Sequence, residues 1–212
     1  MNGKRLPTIP DSITLLNLLL GFMAILFILE DKPTQAASMI LLAVLADIFD
    51  GFLARRNGSV SRFGRELDSL ADLVSFGVAP GVILYTLFTH PKLAVFSAII
   101  PVCGALRLAR FNVMDDKSGF TGLPIPAAGG FIASLVFLGV SLNQFLLVAL
   151  TVMLSALMVS EIRYFKYSSK GGSKPFMVYL LAISTVIGLV DERMLVLPFI
   201  IYTLSGLSGL NQ

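Results

Sequence analysis

The chain is a succession of apolar runs, each close to the length needed to cross about 30 Å of bilayer hydrocarbon, and this leaves few folds open to it. Marked off by charged or Gly/Pro-containing breaks, the runs cover 12–29, 34–56, 64–88, 92–113, 122–141, 143–165, 174–190 and 193–209. With 56% hydrophobic residues, only 14% charged and a mean hydropathy of +0.85, the composition excludes a soluble globular domain. The expected fold is all-α: a polytopic membrane helix bundle of eight spans. The last two runs are short, so a tight hairpin, tilted spans or one re-entrant element stay open there.

The start has basic residues before an apolar run, but no small-residue cleavage site follows, so it is expected to be a retained first helix. Lys and Arg concentrate in cytoplasmic loops. With the N-terminus inside, Lys4, Arg5, Arg55, Arg56, Arg62, Arg65, Arg107, Arg110, Lys117, Arg163, Lys166, Lys170 and Lys174 share the cytoplasmic side, and only Lys32, Lys92 and Arg193 fall opposite. That asymmetry predicts an even number of spans with both termini cytoplasmic. Pro80, Pro101, Pro124 and Pro126 lie in or beside spans, where they would kink helices. The one cysteine, Cys103, reads as a packed thiol. The one histidine, His90, stands beside Pro91 in a loop and has no second imidazole with which to build a zinc site.

Against this background Asp47, Asp50, Asp68 and Asp72 need a reason, because charged side chains within membrane spans are costly and functional by default. Asp47 and Asp50 are three apart, and Asp68 and Asp72 four apart, so each pair shares one helix face. Between the pairs, ARRNGSVSRFG holds enough polar and glycine residues for a turn that brings the chain back antiparallel. The end of the second helix and the start of the third then present four carboxylates to one point. Without cations they would repel, whereas hard divalent ions such as Mg²⁺ or Mn²⁺ take oxygen ligands. Two such ions about 4 Å apart suit phosphoryl chemistry, and magnesium commonly completes its shell with substrate phosphates. Gly51, Ala54 and Gly64 leave room for close approach, and Arg55 could meet a phosphate. The plainer reading is that the small residues pack helices and the acids pair with nearby arginines.

The run Asp47, Asp50, Gly51, Ala54, Arg55, then Gly64, Asp68 and Asp72, resembles the motif of the CDP-alcohol phosphatidyltransferase family at every fixed position. The resemblance implies a core of six membrane helices, placed at 10–170; the last two apolar runs then make a C-terminal helical hairpin over 171–212 of one transmembrane domain over 1–212. It implies two divalent cations, Mg²⁺ or Mn²⁺, held by the four aspartates, and transfer of a phosphatidyl group from a CDP-linked lipid to an alcohol with release of CMP. It also implies that Asp72 is the general base, which spacing alone leaves open among the four. By the same resemblance Gly51, Arg55 and Ser61 contact the CDP moiety, and Ala54 and Gly64 make room for it. A Pro-Asn-x-x-Thr element of the family corresponds here to Pro10, Asp11, Ser12, Ile13 and Thr14; Asp replaces Asn, and Thr14 is kept as a CDP-lipid candidate. The resemblance further implies a homodimer; composition and the basic residues predict an integral protein of the cell membrane with its active site facing the cytoplasm, and no nucleic-acid partner is expected.

Three further segments resemble the membrane-integral phosphatidylserine synthase branch: SRFGRELDSLADLVSFGVAPG, RLARFN and GFTGLPIPAAGG. With TLLNLLLG they extend the likeness over the first 130 residues or so. This implies CDP-diacylglycerol, or a CDP-ether lipid, as donor and L-serine as acceptor. Serine's carboxylate needs a cation and its ammonium an acceptor, which makes Arg107, Arg110, Asn112 and Thr121 the candidate serine ligands. The two arginines can equally be positive-inside anchors of the fourth span. Asp115, Asp116 and Lys117 read as an exposed loop, and Lys166, Lys170 and Lys174 as topology and anionic-lipid contacts. A sister enzyme using glycerol phosphate, inositol phosphate or another alcohol is the nearest rival. A divalent-cation transporter is the remote one, disfavoured because the aspartates stay on one side while the outer halves of these spans are apolar.

Overall fold

The computed structural model describes residues 9–56, 61–113, 122–162, 199–200 and 202–203, and every regular element among them is helical. Six helices follow in order: α1 (Ile9–Leu29), α2 (Pro33–Arg56), α3 (Arg62–Leu87), α4 (Pro91–Val113), α5 (Ile125–Phe137) and α6 (Gln144–Val159). Four of them contain stretches long and apolar enough to cross a membrane, namely Asp11–Leu29, Pro33–Gly51, Arg62–Leu87 and Pro91–Val113. The expected run 174–190 lies outside the described residues, as does most of 193–209.

Helices α1 and α2 form an antiparallel hairpin through a tight turn in which Asp31 takes a left-handed backbone (φ 58°) and the Lys32 N–H returns to the Phe27 carbonyl at 2.8 Å. Pro33 opens α2 where its missing N–H costs nothing. On α1 one stripe is buried: Asp11, Thr14, Asn17, Gly21, Ala24 and Ile28. The spacing of three and four is that of a helix face, and Leu15, Leu16, Leu19 and Phe22 turn outward from it. The half of the stripe near the start of α1 is polar. The other half is small or apolar and meets the alanine-rich side of α2, where Ala36, Ala37, Ile40 and Ala43 are fully buried.

Helix α3 begins at Ser61, whose hydroxyl caps it by accepting the Gly64 N–H at 2.9 Å. Its middle widens into a π turn over Leu73–Val78, where the Ala79 N–H reaches five residues back to the Val74 carbonyl. Pro80 explains the interruption: it has no N–H to give, and its ring would collide with the carbonyl four residues earlier in a regular α-helix. Helix α4 is likewise broken, with a 3₁₀ turn over Val95–Ala98 ahead of Pro101. The helices are thus irregular ahead of Pro80 and Pro101, with one wide and one tight turn, while Pro124 and Pro126 stand at the start of a helix.

Helices α5 and α6 are shorter than the runs 122–141 and 143–165 that predicted them. At the start of α5 and the end of α6 the reason is a tie between the two, while α5 stops at Phe137 in a turn closed by Gly139 at φ 63°. The Gly122 N–H donates to Ile162 O at 2.8 Å and the Leu123 N–H to Leu157 O at 2.9 Å, so backbone from both segments is diverted from helix into this junction. Gly122 has φ +80° there, and a Cβ on it would sit 2.4 Å from Met158 O.

Candidate active site

The chain reversal between α2 and α3 brings the predicted carboxylates together at one end of the bundle, where α1 and α3 begin and α2 and α4 end. One oxygen each from Asp47, Asp68 and Asp72 lies within 4.8 Å of the other two. At that separation two carboxylates repel by about 3 kcal/mol at an effective dielectric of about 20, which a bound cation would reverse. The donor set is all oxygen, the set that hard divalent cations prefer. Asp50 stands slightly apart from the trio. It is buried, accepts a short hydrogen bond from the Thr14 hydroxyl, and still acts electrostatically on Asp68. All four predicted aspartates thus belong to one acidic region, three as a tight cluster and the fourth held by α1.

The polar half of α1's buried stripe forms the opposite wall. Thr14 holds Asp50, and the Asn17 Nδ2 donates to Asp72 Oδ1 at 3.1 Å. The Ser75 hydroxyl donates to the Asn17 backbone carbonyl at 2.8 Å. Asp11 is buried, and a Cβ on Gly64 would come within 3.2 Å of its Oδ1, so the first turn of α3 lies against it. The π turn has a local consequence. It begins directly after Asp72 and places Ser75 where it can reach α1.

From α4, Arg107 is buried and interacts electrostatically with Asp72 and with Tyr202. Tyr202 is itself buried, and nearby Phe199 is fully buried against Gly130. Asn112 turns to α3 instead, donating to Glu66 Oε2 at 3.0 Å and to Ser69 Oγ at 3.1 Å. On a helix Ser69 and Glu66 point well away from the face that carries Asp68 and Asp72. Arg110 is half-buried. Among the CDP-lipid candidates, Gly51 is half-buried directly after Asp50, Ser61 caps α3, and Gly64 faces Ser61 and Asp11. Ala54 and Arg55 continue α2, and Thr121 lies outside the described residues.

Three participants were not anticipated: Asn17, Ser75 and Tyr202. A signal existed for Asn17, which stands three residues after Thr14 on the same face of a span otherwise rich in leucine. Ser75 depends on the π turn, and Tyr202 sits in an apolar segment without a motif.

The fold and this site define an integral membrane protein with an oxygen-only site suited to divalent cations, walled by a polar helix face and a buried arginine. The profile of the CDP-alcohol phosphatidyltransferase family matches residues 7–162, and the chain belongs to that family. A "CDP-diacylglycerol--serine O-phosphatidyltransferase" of Methanocaldococcus jannaschii is 40% identical to it over 205 residues, covering 94% of each chain. An "archaetidylserine synthase" of Methanothermobacter thermautotrophicus is 36% identical over 182 residues, covering 82% of this chain and 77% of the relative. A "CDP-diacylglycerol--serine O-phosphatidyltransferase" of Bacillus subtilis is 42% identical over 160 residues, covering 74% and 89% respectively.

Proposed function

We propose that this protein is a serine phospholipid synthase: it transfers a phosphatidyl group from CDP-diacylglycerol, or its ether-lipid counterpart, to the hydroxyl of L-serine and releases CMP. The observation that carries the reading is the convergence of Asp47, Asp68 and Asp72 on one point, in a chain of the CDP-alcohol phosphatidyltransferase family. The names of the relatives support serine as the alcohol.

In this reading Asp72 takes the proton of the serine hydroxyl. The serine oxygen attacks the lipid-side phosphorus, and the bond from that phosphorus to the bridging oxygen breaks, leaving CMP. Asp47, Asp50, Asp68 and Asp72 would hold two divalent cations, Mg²⁺ or Mn²⁺, which supply neutralisation of the pyrophosphate and of the leaving phosphate. Thr14, Gly51, Ala54, Arg55, Ser61 and Gly64 bind the CDP part of the donor. Arg107 pairs with the serine carboxylate, with Arg110 and Thr121 completing the acceptor side; Asn112, expected there from the sequence, is instead engaged by Glu66 and Ser69 away from the aspartate face and is set aside as a serine ligand. The distribution of Lys and Arg supports a site facing the cytoplasm and an even number of spans with both chain ends inside; eight spans, counted from the apolar runs, and a place in the cell membrane belong to the same reading. Pairing of two copies belongs to the same reading and rests on the family resemblance.

The test is CMP release by the purified protein, with CDP-diacylglycerol or a CDP-ether lipid as donor and serine, glycerol phosphate or inositol phosphate as acceptor. Turnover with serine is expected. Turnover with a phosphorylated alcohol and none with serine would overturn the assignment.

A further inference from the structure

Asn17 is fully buried in α1, and its position is hard to explain by packing. The Nδ2 donates to Asp72 Oδ1 at 3.1 Å, but the Oδ1 of the same amide meets no donor among the described residues. A buried acceptor without a partner destabilises a fold, and an apolar side chain of similar volume would avoid that cost. What the amide does provide is a donor aimed at a carboxylate, which as an anion can only accept.

The surroundings hold that donor in place from two directions. The Asn17 carbonyl is tied to the Ser75 hydroxyl at 2.8 Å. One turn further along α1, Gly21 brings the helix into backbone contact with Ser75, at the widened turn that starts immediately after Asp72. Asn17 is therefore fixed relative to the residue it serves. On the other sides of Asp72 stand Asp47, Asp68 and Arg107, all of which act on its charge. None of those three is an uncharged donor that could fix the rotation of the carboxylate without competing for the cations.

We propose that Asn17 is a positioning residue for the transfer reaction. By donating to Oδ1 it sets the rotation of the Asp72 carboxylate, so that the remaining lone pairs face the acceptor hydroxyl. The arrangement is that of a base oriented by a third group. It rests on the reading of Asp72 as the base.

The test compares the unmodified protein with Asn17→Leu, Asn17→Asp and Asp72→Asn, each purified in detergent and assayed for CMP release and thermal unfolding. Asn17→Leu should keep or raise the unfolding midpoint, because the orphaned oxygen is gone. Its kcat should fall by about tenfold to a hundredfold, as misplacement of a reacting group does, with the KM for the CDP-lipid within about twofold. Asn17→Asp keeps the shape and, where ionised, replaces the donor by a negative charge against Asp72, so it should lower kcat at least comparably and most strongly at alkaline pH; it carries the test if the leucine variant does not fold. Normal kcat in both Asn17 variants, with Asp72→Asn inactive, would overturn the positioning role and leave the base intact. Loss of stability and of CDP-lipid affinity together with kcat in both would reduce Asn17 to a structural residue. Full activity of Asp72→Asn would remove the base, and the proposal with it.

Discussion

Gly21 of α1 and Ser75 of α3 meet backbone to backbone: a Cβ on Gly21 would stand 2.6 Å from Ser75 Cα and 2.3 Å from its Oγ. This contact decides how close the polar face of α1 comes to the aspartates. Small residues serve this purpose between membrane helices, where close approach of backbones replaces the hydrophobic effect as the source of attraction.

Gly21→Ala cannot be relieved by rotating a side chain, because the Ser75 Cα is part of the obstruction. Helix α1 has to move, and Asn17 and Thr14 move with it. The expected cost is about 1–3 kcal/mol of stability, the range for overpacking a tight interface. CMP release per folded molecule should fall as well. Thermal unfolding alongside the CMP assay checks both, and wild-type values in each would show that the helices are not in contact there.

At Gly122 the obstacle is conformational as well as steric. Its φ of +80° is a backbone that L side chains rarely adopt, and a Cβ would lie 2.4 Å from Met158 O. Gly122→Ala should therefore cost at least the roughly 1–2 kcal/mol of a left-handed non-glycine residue. The junction between α5 and the end of α6 should open first. Hydrogen exchange at the Leu123 amide, which is bonded to Leu157 O, would rise in the variant.

Much of this arrangement is legible in the sequence because membrane physics is strict: an apolar run of span length has to be helical, and four aspartates among such runs have to be compensated. The spacings 47/50 and 68/72 put each pair on one helix face, and the polar turn between them predicts that those faces meet. They do not say that Asp47, Asp68 and Asp72 form the tight cluster while Asp50 turns to Thr14, since that depends on the register of α1 against α2. Pro80 announces a kink but not that the helix widens over Leu73–Val78, and Ser75 reaches Asn17 only because it does. Tyr202 is invisible for another reason. Its segment carries no motif, and nothing in one sequence links it to Arg107.

The hydrogen bond from Thr14 to Asp50 predicts a separable effect on the metal. Thr14→Val keeps the volume and removes the donor, leaving the Asp50 carboxylate free to turn. Groups that orient metal ligands typically contribute about 10- to 100-fold to metal affinity. The half-saturating Mn²⁺ concentration for CMP release should rise on that scale, with much of the maximal rate recovered at high Mn²⁺. An unchanged Mn²⁺ requirement would exclude Asp50 as a ligand oriented by Thr14.

Arg107 is the buried cation beside Asp72, and its partner in the reaction can be tested through the substrate rather than through the fold. If the guanidinium pairs with the serine carboxylate, its planar fork matters and a lysine will not replace it fully. Arg107→Lys should raise the KM for serine by about tenfold or more, in line with loss of a charge-assisted, bidentate contact, and leave the KM for the CDP-lipid nearly unchanged. The decisive comparison is with an amino alcohol that lacks the carboxylate. The unmodified protein should strongly prefer serine over it, and Arg107→Lys should narrow that preference chiefly by losing serine. A variant that slows both alcohols equally would instead assign Arg107 to holding Asp72 and α4 in place. Tyr202→Phe supplies the companion measurement: it removes the hydroxyl that acts on the guanidinium, and should shift the serine KM in the same direction by a smaller factor.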